Sequence, residues 1–299
     1  MVLPFHKPVL LKESIEKLYI KKNGIYVDCT FGSGGHSKEI ISKLNSTGKV
    51  ISFDHDQISL NYLSDLNKLD NFCFIKDNFS NLKIHLKELE INKIDGLIFD
   101  LGLSSMQIDS DRGFSYRKEN SFIDMRMDET KNLTAYNLIN DYSEEELSDI
   151  FFHFGEERSS KKIARSICKY RVKNSIRIVK DLVEIITSSL HFKKKKKIHP
   201  ARKIFQALRI KINNELENLN NALSSAIDLL SDDSSIVIIS YHSLEDRLVK
   251  KFFKRISEEQ VNLFSFSKKP ITPNEGEIRD NNKARSAKMR FLIKRKIKS

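Results

Sequence analysis

The residues of this chain best suited to chemistry sit in its first hundred positions. Tyr26-Val-Asp-Cys-Thr-Phe-Gly-Ser-Gly-Gly-His-Ser37 reads as a strand ending in Asp28, a glycine-rich turn, and a helix that starts near His36. Glycines permit the tight turn and the close approach of a ligand to backbone. Phe53-Asp54-His-Asp56 places a carboxylate about 20 residues beyond the turn, where Rossmann-like sites hold a ribose hydroxyl pair. Asp77-Asn78-Phe79 and Asp100-Leu-Gly-Leu103 follow the next two strand-like runs. The glycine spacing is Gly-x-Gly-Gly, not the Gly-x-Gly-x-x-Gly of a dinucleotide site. An acid beside the turn would repel a pyrophosphate but could receive the ammonium of a methionine moiety. These features favour S-adenosylmethionine over NAD. A purely structural glycine turn is the plainer alternative, and the acids in register at positions 54 and 100 weigh against it.

The elements needed to position these groups are legible. Ile25–Cys29, Val50–Phe53, Phe72–Ile75 and Ile94–Phe99 are short apolar or β-branched runs, as expected for strands buried on both faces. Helix-like stretches at His36–Leu44, Gln57–Leu66 and Asn81–Glu88 separate them, which implies βαβ units and a parallel sheet. All the chemical residues then fall at carboxyl ends of strands, where open α/β sheets bind ligands. From Ser104 to about Met127 the pattern is loop-like, and Leu133 to Leu190 reads as helices only. Helix starts are signalled at Asn132, Ser143 and Ser159. The segment Ala201–Leu230 reads as helical, a strand returns at Ser235–Ser240, a helix starts at Leu244, and Met289–Ile293 suits a final edge strand. The expected architecture is α/β: one sheet domain interrupted by a helical insertion.

Charge points to a polyanionic partner. With 52 Lys+Arg against 40 Asp+Glu, the 299-residue chain carries +12 at pH 7. Lys193–Lys203 contributes seven positive residues and Asn281–Ser299 eight, neither with an acid, so the rest of the chain is slightly acidic. Such local patches suit nucleic acid, whose phosphates dominate affinity. A solvated loop and a frayed tail are the bland alternatives. An apolar fraction of 39% with 19 Phe excludes global disorder. No apolar run approaches the ~20 residues of a membrane span. The first residues lack a secretory apolar region, which argues for the cytoplasm. Cys29, Cys73 and Cys168 are scattered and indicate neither a disulfide framework nor a metal site.

The longer motifs carry a resemblance. His6-Lys-Pro-Val-Leu-Leu11, Asp28-Cys-Thr-Phe-Gly-Ser-Gly-Gly-His-Ser37, Asp100-Leu-Gly-Leu-Ser-Ser-Met-Gln-Ile-Asp109, Arg112-Gly-Phe-Ser-Tyr116 and Asp124-Met-Arg-Met-Asp128 resemble the bacterial 16S ribosomal RNA cytosine-N4 methyltransferase family. Gly155-Glu-Glu-Arg158, Phe205-Gln-Ala-Leu-Arg-Ile210, His242-Ser-Leu-Glu-Asp-Arg247 and Arg285-Ser-Ala-Lys288 extend the resemblance over nearly the whole chain. It implies a Rossmann-like class I methyltransferase sheet over 1–104 and 210–299, with a helical, substrate-recognising insertion at 105–209. It implies S-adenosylmethionine contacts from Gly34, Gly35, His36, Asp54, Phe79, Asp100 and Gln107, and 16S ribosomal RNA of the small subunit, at the decoding centre, as the partner. No membrane or DNA partner is expected, and the oligomeric state stays open, a homodimer included. Departures are modest: Arg202 and Ile204 stand where threonines are common, and Tyr241 where Phe is usual.

Cytosine N4 is a poor nucleophile, because its lone pair is delocalised into the ring. A carboxylate accepting its N–H would restore its reactivity and take up developing positive charge. The loop after strand four lacks the Pro-Pro-aromatic sequence of many amino-methyltransferases, so the acceptor is left between Asp100 and Asp124. His242 is a third candidate, with a helix-start role as its alternative. Arg126, Arg158, Arg202 and Arg209 are candidate RNA contacts, and the Arg285–Lys298 tail a candidate clamp. Two competing functions are a non-catalytic RNA-binding assembly factor that retains the fold and an NAD-dependent oxidoreductase. The glycine turn with its acids argues against the first, and the glycine spacing against the second.

Overall fold

The computed structural model describes residues 8–63, 65–190 and 199–296. His6, Lys7 and the lysines at 193–197 therefore lie outside the described residues. The chain divides into two compact units, one of Met1–Gly102 with Leu216–Ser299 and one of Leu103–Glu215.

The first unit is built on a seven-stranded sheet. Its strands are β1 (Ile25–Asp28), β2 (Lys49–Phe53), β3 (Phe72–Ile75), β4 (Ile94–Asp100), β5 (Leu230–Ser240), β6 (Phe264–Phe266) and β7 (Lys288–Lys294), in the order β3-β2-β1-β4-β5-β7-β6. The first five run parallel, while β7 is antiparallel to β5 and β6 to β7. Alternation along each strand feeds two cores. Val27, Ile51, Phe53, Leu97 and Phe99 pack on one face, and Tyr26, Val50 and Ile98 on the other. The first face is covered by α3 (Leu82–Glu88), α10 (Glu215–Leu229) and α11 (Ser243–Glu259), through residues such as Leu86, Leu223 and Phe253. The second is covered by α1 (Leu11–Leu18) and α2 (Gly35–Ile41), through Leu18 and Ile40, and a short α12 (Glu275–Asp280) follows β6 in the chain.

Two expectations are corrected here. The expected final edge strand is β7, which lies inside the sheet between β5 and β6. The true edge, β6, has only three residues, too few to show a pattern. The expected helix at Gln57–Leu66 forms two 3₁₀ turns, Gln57–Tyr62 and Leu66–Lys68. Asp56 accepts from the Ile58 amide at 3.1 Å, and Ser59 Oγ donates to the Asp56 carbonyl at 2.7 Å. Such local side-chain bonds compete with the α-helical ladder and tighten the turn.

The second unit is helical: α4 (Ser105–Asp109), α5 (Ala135–Asp141), α6 (Glu144–His153), α7 (Ser160–Arg171), α8 (Val179–Ser189) and α9 (Ala201–Asn213). Its own core includes Leu138, Leu147, Phe151, Ile163, Leu182, Ile186, Ile204 and Leu208. Capping boxes at Ser104, Thr134 and Ser143 start α4, α5 and α6. A single bridge, Phe122 to Ile178, is its only strand-like pairing among the described residues. None of the described helices is long and apolar enough to cross a membrane.

Candidate active site

The strand order reverses between β1 and β4, since β2 follows β1 on one side and β5 follows β4 on the other. Loops leaving neighbouring carboxyl ends in opposite directions open a crevice there. The turn after β1 occupies one wall. Gly34 sits at φ 77° as the N-cap of α2, and a Cβ there would meet the Phe31 ring at 2.7 Å. Only glycine combines that left-handed backbone with that close approach.

The acid that ends β1 is used by the fold itself. Asp28 Oδ1 accepts from the Thr30 amide at 3.1 Å, and Oδ2 from Ser37 Oγ at 2.6 Å, which also lies 2.7 Å from Ser52 Oγ. Its exposure is 1%, and burial raises its pKa to about 6. The expectation that this carboxylate receives a ligand ammonium is corrected: buried under its own turn, Asp28 clamps the glycine loop to α2.

The remaining groups line the crevice side of the strand ends. Asp54, just past β2, accepts from the Gly32 amide at 2.8 Å through Oδ2 and from the Asp56 amide at 2.9 Å through Oδ1. It thereby ties the first turn to the second, and each oxygen keeps a lone pair for a further donor. Burial raises its pKa to about 7, with Asp56 and Asp28 adding negative charge nearby. His36, in the first turn of α2, is 4% exposed, and its Nε2 has no hydrogen-bond partner among the described residues. Burial lowers its pKa to about 4, so the ring is neutral at pH 7. Phe79 packs edge-on against Phe99 at 5.5 Å, with its loop pinned by Asp77, which accepts from Asn81 Nδ2 at 2.9 Å and pairs with His85 Nε2 at 2.7 Å.

Asp100 closes β4. Its amide donates to Thr30 Oγ1 at 2.6 Å, and its Oδ1 accepts from the Tyr241 hydroxyl at 2.7 Å. Oδ2 accepts no hydrogen bond among the described residues, and His36 Nδ1 stands 3.8 Å away. Burial raises the Asp100 pKa to about 7, Asp28 and Glu245 push the same way, and the Tyr241 hydroxyl opposes them. His242, the N-cap of α11, accepts from the Glu245 amide at 3.3 Å through Nδ1 and lies 3.1 Å from Glu245 Oε1 through Nε2. Its Nε2 is buried and makes no hydrogen bond among the described residues. Gly34, His36, Asp54, Phe79 and Asp100 all belong to the first unit. Tyr241 and Thr30 were not singled out as site residues from sequence; an aromatic directly after the β5 strand end was the one signal available for the former.

Gln107 and Asp124 belong to the second unit. Gln107 closes a capping box, its Oε1 accepting from the Ser104 amide at 3.0 Å. Asp124 is held in a two-point pair by Arg126, at 2.7 Å to Nε and 2.8 Å to Nη2. Both its oxygens are therefore engaged by one guanidinium. Arg126 also donates to the Glu129 and Lys131 carbonyls, and Arg209 forms a two-point pair with Glu215. These two arginines are internal struts, which corrects the expectation that they reach RNA. Arg158 and Arg202 are exposed. The expected clamp at Arg285–Lys298 is corrected in part: half of that segment is β7, Arg285, Arg295 and Lys296 are exposed, and Lys298 lies outside the described residues. Arg290 is 4% exposed, with its Nε 2.6 Å from Asp246 and its Nη1 on the Ser267 and Lys268 carbonyls, and Lys288 lies 3.3 Å from the same acid.

The donor set fits S-adenosylmethionine. Asp54 offers charged acceptor sites for a hydroxyl pair, Phe79 an apolar face for a purine, Gly34 close backbone approach, and Asp100 a free carboxylate oxygen for a cationic ligand. His36 adds a buried nitrogen without a partner. The strand order β3-β2-β1-β4-β5-β7-β6, with β7 antiparallel beside β5, is that of a class I methyltransferase. The chain belongs to the MraW methylase family, whose profile matches residues 4–295. It is 44% identical over 307 aligned residues to the ribosomal RNA small subunit methyltransferase H of Clostridium botulinum, covering 97% of this chain and 98% of that one. The protein of the same name from Caldicellulosiruptor saccharolyticus is 45% identical over 305 residues, covering 97% and 99%. That from Oceanobacillus iheyensis is 44% identical over 307 residues, covering 97% and 94%.

Proposed function

We propose that the protein methylates the N4 amino group of a cytidine in 16S ribosomal RNA of the small subunit, in the cytoplasm, with S-adenosylmethionine as methyl donor. The observation that carries the chemistry is Asp100: a carboxylate at the switch point, one oxygen held by Tyr241 and the other without a hydrogen bond among the described residues. The donor, when bound, supplies a methyl group whose bond to sulfur breaks with the electron pair left on sulfur. Gly34, Gly35 and His36 form the turn around the amino-acid end, Asp54 accepts from the ribose hydroxyls, and Phe79 packs beside the adenine. Asp100 Oδ2 accepts an N–H of the target amine and takes its proton as the N–C bond forms. With a pKa raised to about 7, this group is matched to proton transfer near neutral pH. His242, capping α11, supports the loop that carries Tyr241. Gln107 and Asp124 shape the second unit, which recognises RNA, with the target base swung out of its stack.

Tritium transfer from labelled donor to small subunits, followed by mapping of the modified atom, tests this reading. Label on a cytidine N4 supports it. RNA binding without label favours the non-catalytic assembly factor and overturns it.

Donor binding is expected to tighten as pH rises from about 5 to 8. Asp54 and Asp100 have carboxylate pKa values raised to about 7 by burial, so both are largely protonated at pH 5. A cationic donor favours their charged forms, so binding below pH 7 must release protons. Calorimetry in buffers of different ionisation enthalpy reads this directly, and a pH-independent affinity without proton release contradicts the assignment.

RNA affinity is expected to draw on exposed arginines of the second unit. Replacing Arg158 and Arg202 together by Ala should weaken binding and reduce the slope of log affinity against log salt by about 1.5. An unchanged slope removes both from the phosphate contacts.

A further inference from the structure

We propose that Tyr241, standing where Phe is usual in the family, is a positioning residue particular to this chain: its hydroxyl fixes Oδ1 of Asp100 so that Oδ2 is the one oxygen presented to the reacting amine. This inference rests on the reading of Asp100 given above. Asp100 and Tyr241 are 141 positions apart, at the ends of neighbouring strands β4 and β5, and the bond between them is 2.7 Å. The tyrosine is itself placed from both sides. A Cβ at Gly102 would meet its ring at 3.0 Å, and the backbone there has φ 96°, so Gly102 lets the chain after β4 pass directly over the ring. Behind it, the Tyr241 amide donates to Glu245 Oε2 at 2.8 Å, which locks the turn into the start of α11.

A carboxylate at a strand end can rotate about its terminal torsion, and that torsion is broad for Asp. The Thr30 contact holds only the Asp100 amide, so nothing else among the described residues fixes the plane of its carboxyl group. The hydroxyl of Tyr241 supplies the fixed point. It also stabilises charge on a group that faces two acids, Asp28 on β1 and Glu245 on α11, while Glu277 on α12 acts on the tyrosine itself. The other titratable neighbour, His36 on α2, is buried and neutral and offers no compensating cation. Tyr241 remains protonated throughout the working range, because burial and Asp100 push its own pKa well above the usual value. A donor that stays a donor holds both the geometry and the charge of its partner.

The test is Tyr241→Phe, which keeps the ring against Gly102 and removes only the hydroxyl. Loss of a hydrogen bond to a charged group should move the acid limb of the kcat/KM profile upward by about one pH unit. Activity at pH 6.5 should then fall about tenfold and recover to within threefold of the parent at pH 9, where Asp100 is charged in both proteins and donor Kd should differ less than threefold. A role in folding alone would lower activity equally at every pH. Asp100→Asn is measured in parallel. If Asp100→Asn loses transfer and the Tyr241→Phe profile superimposes on the parent, the role of Tyr241 is overturned and the site reading stands. If Asp100→Asn transfers methyl groups normally, both are overturned.

Discussion

Asp100→Asn is expected to lower methyl transfer by about a hundredfold to ten-thousandfold, the range for loss of a positioned proton acceptor. The change alters no volume. The new side-chain carbonyl can still accept from the Tyr241 hydroxyl, so the contact at 2.7 Å survives in kind. That orientation turns an NH₂ group to the place of Oδ2. A donor would then face the N–H of the incoming amine, which loses its proton acceptor and meets a repulsive partner. Asp100→Ala should abolish transfer, since it leaves the Tyr241 hydroxyl unpaired as well. Single-turnover transfer from tritiated donor to small subunits checks both variants. Transfer at the parent rate by Asp100→Asn would falsify the role assigned to this carboxylate.

How far the sequence exposes this site depends on the range of the interactions. Local patterns were sufficient for β1 to β5, because β-branched runs such as Ser235–Ser240 are buried on both faces and read the same in any register. The glycine turn and the acids after β2 and β4 followed from those strands, since a parallel sheet sends every carboxyl end to one edge. What stayed hidden depended on distant partners. Asp28 looks like a ligand acid until it is seen buried under its own turn, held by Ser37 and the Thr30 amide, while Asp54 stays partly open. Arg290 looks like part of a basic tail until Asp246, 44 positions away, draws it inward across β7. Charge counted along a chain does not say which face of a strand carries it. The tie between Tyr241 and Asp100 is the same case: no local spacing relates two residues whose strands become neighbours only in the folded sheet.

Asp54→Ala is expected to weaken S-adenosylmethionine binding by roughly a hundredfold to ten-thousandfold. A hydroxyl pair on a carboxylate makes two charge-assisted hydrogen bonds, each worth about 1.5–3 kcal/mol. The substitution also strips the acceptor from the Gly32 and Asp56 amides, now held at 2.8 and 2.9 Å, so the glycine turn loses its tie to β2. Titration calorimetry at pH 8 measures the loss, and a Kd within threefold of the parent would exclude Asp54 as the ribose acceptor. A second readout separates loss of the site from loss of the fold. Burial raises the Asp54 pKa from 3.8 to about 7, so between those values the folded protein holds a proton that the unfolded chain has released. This group therefore contributes a stability that declines as pH rises from about 4 to 7. Asp28 and Asp100, also raised, contribute declines of the same sign. Without Asp54, the fall in melting temperature across that window should be shallower, while donor binding is lost. A general unfolding defect would lower the melting temperature without flattening its pH dependence. On the proposed assignment, the same buried charge that weakens the free protein near neutral pH is what holds the cationic donor and its ribose.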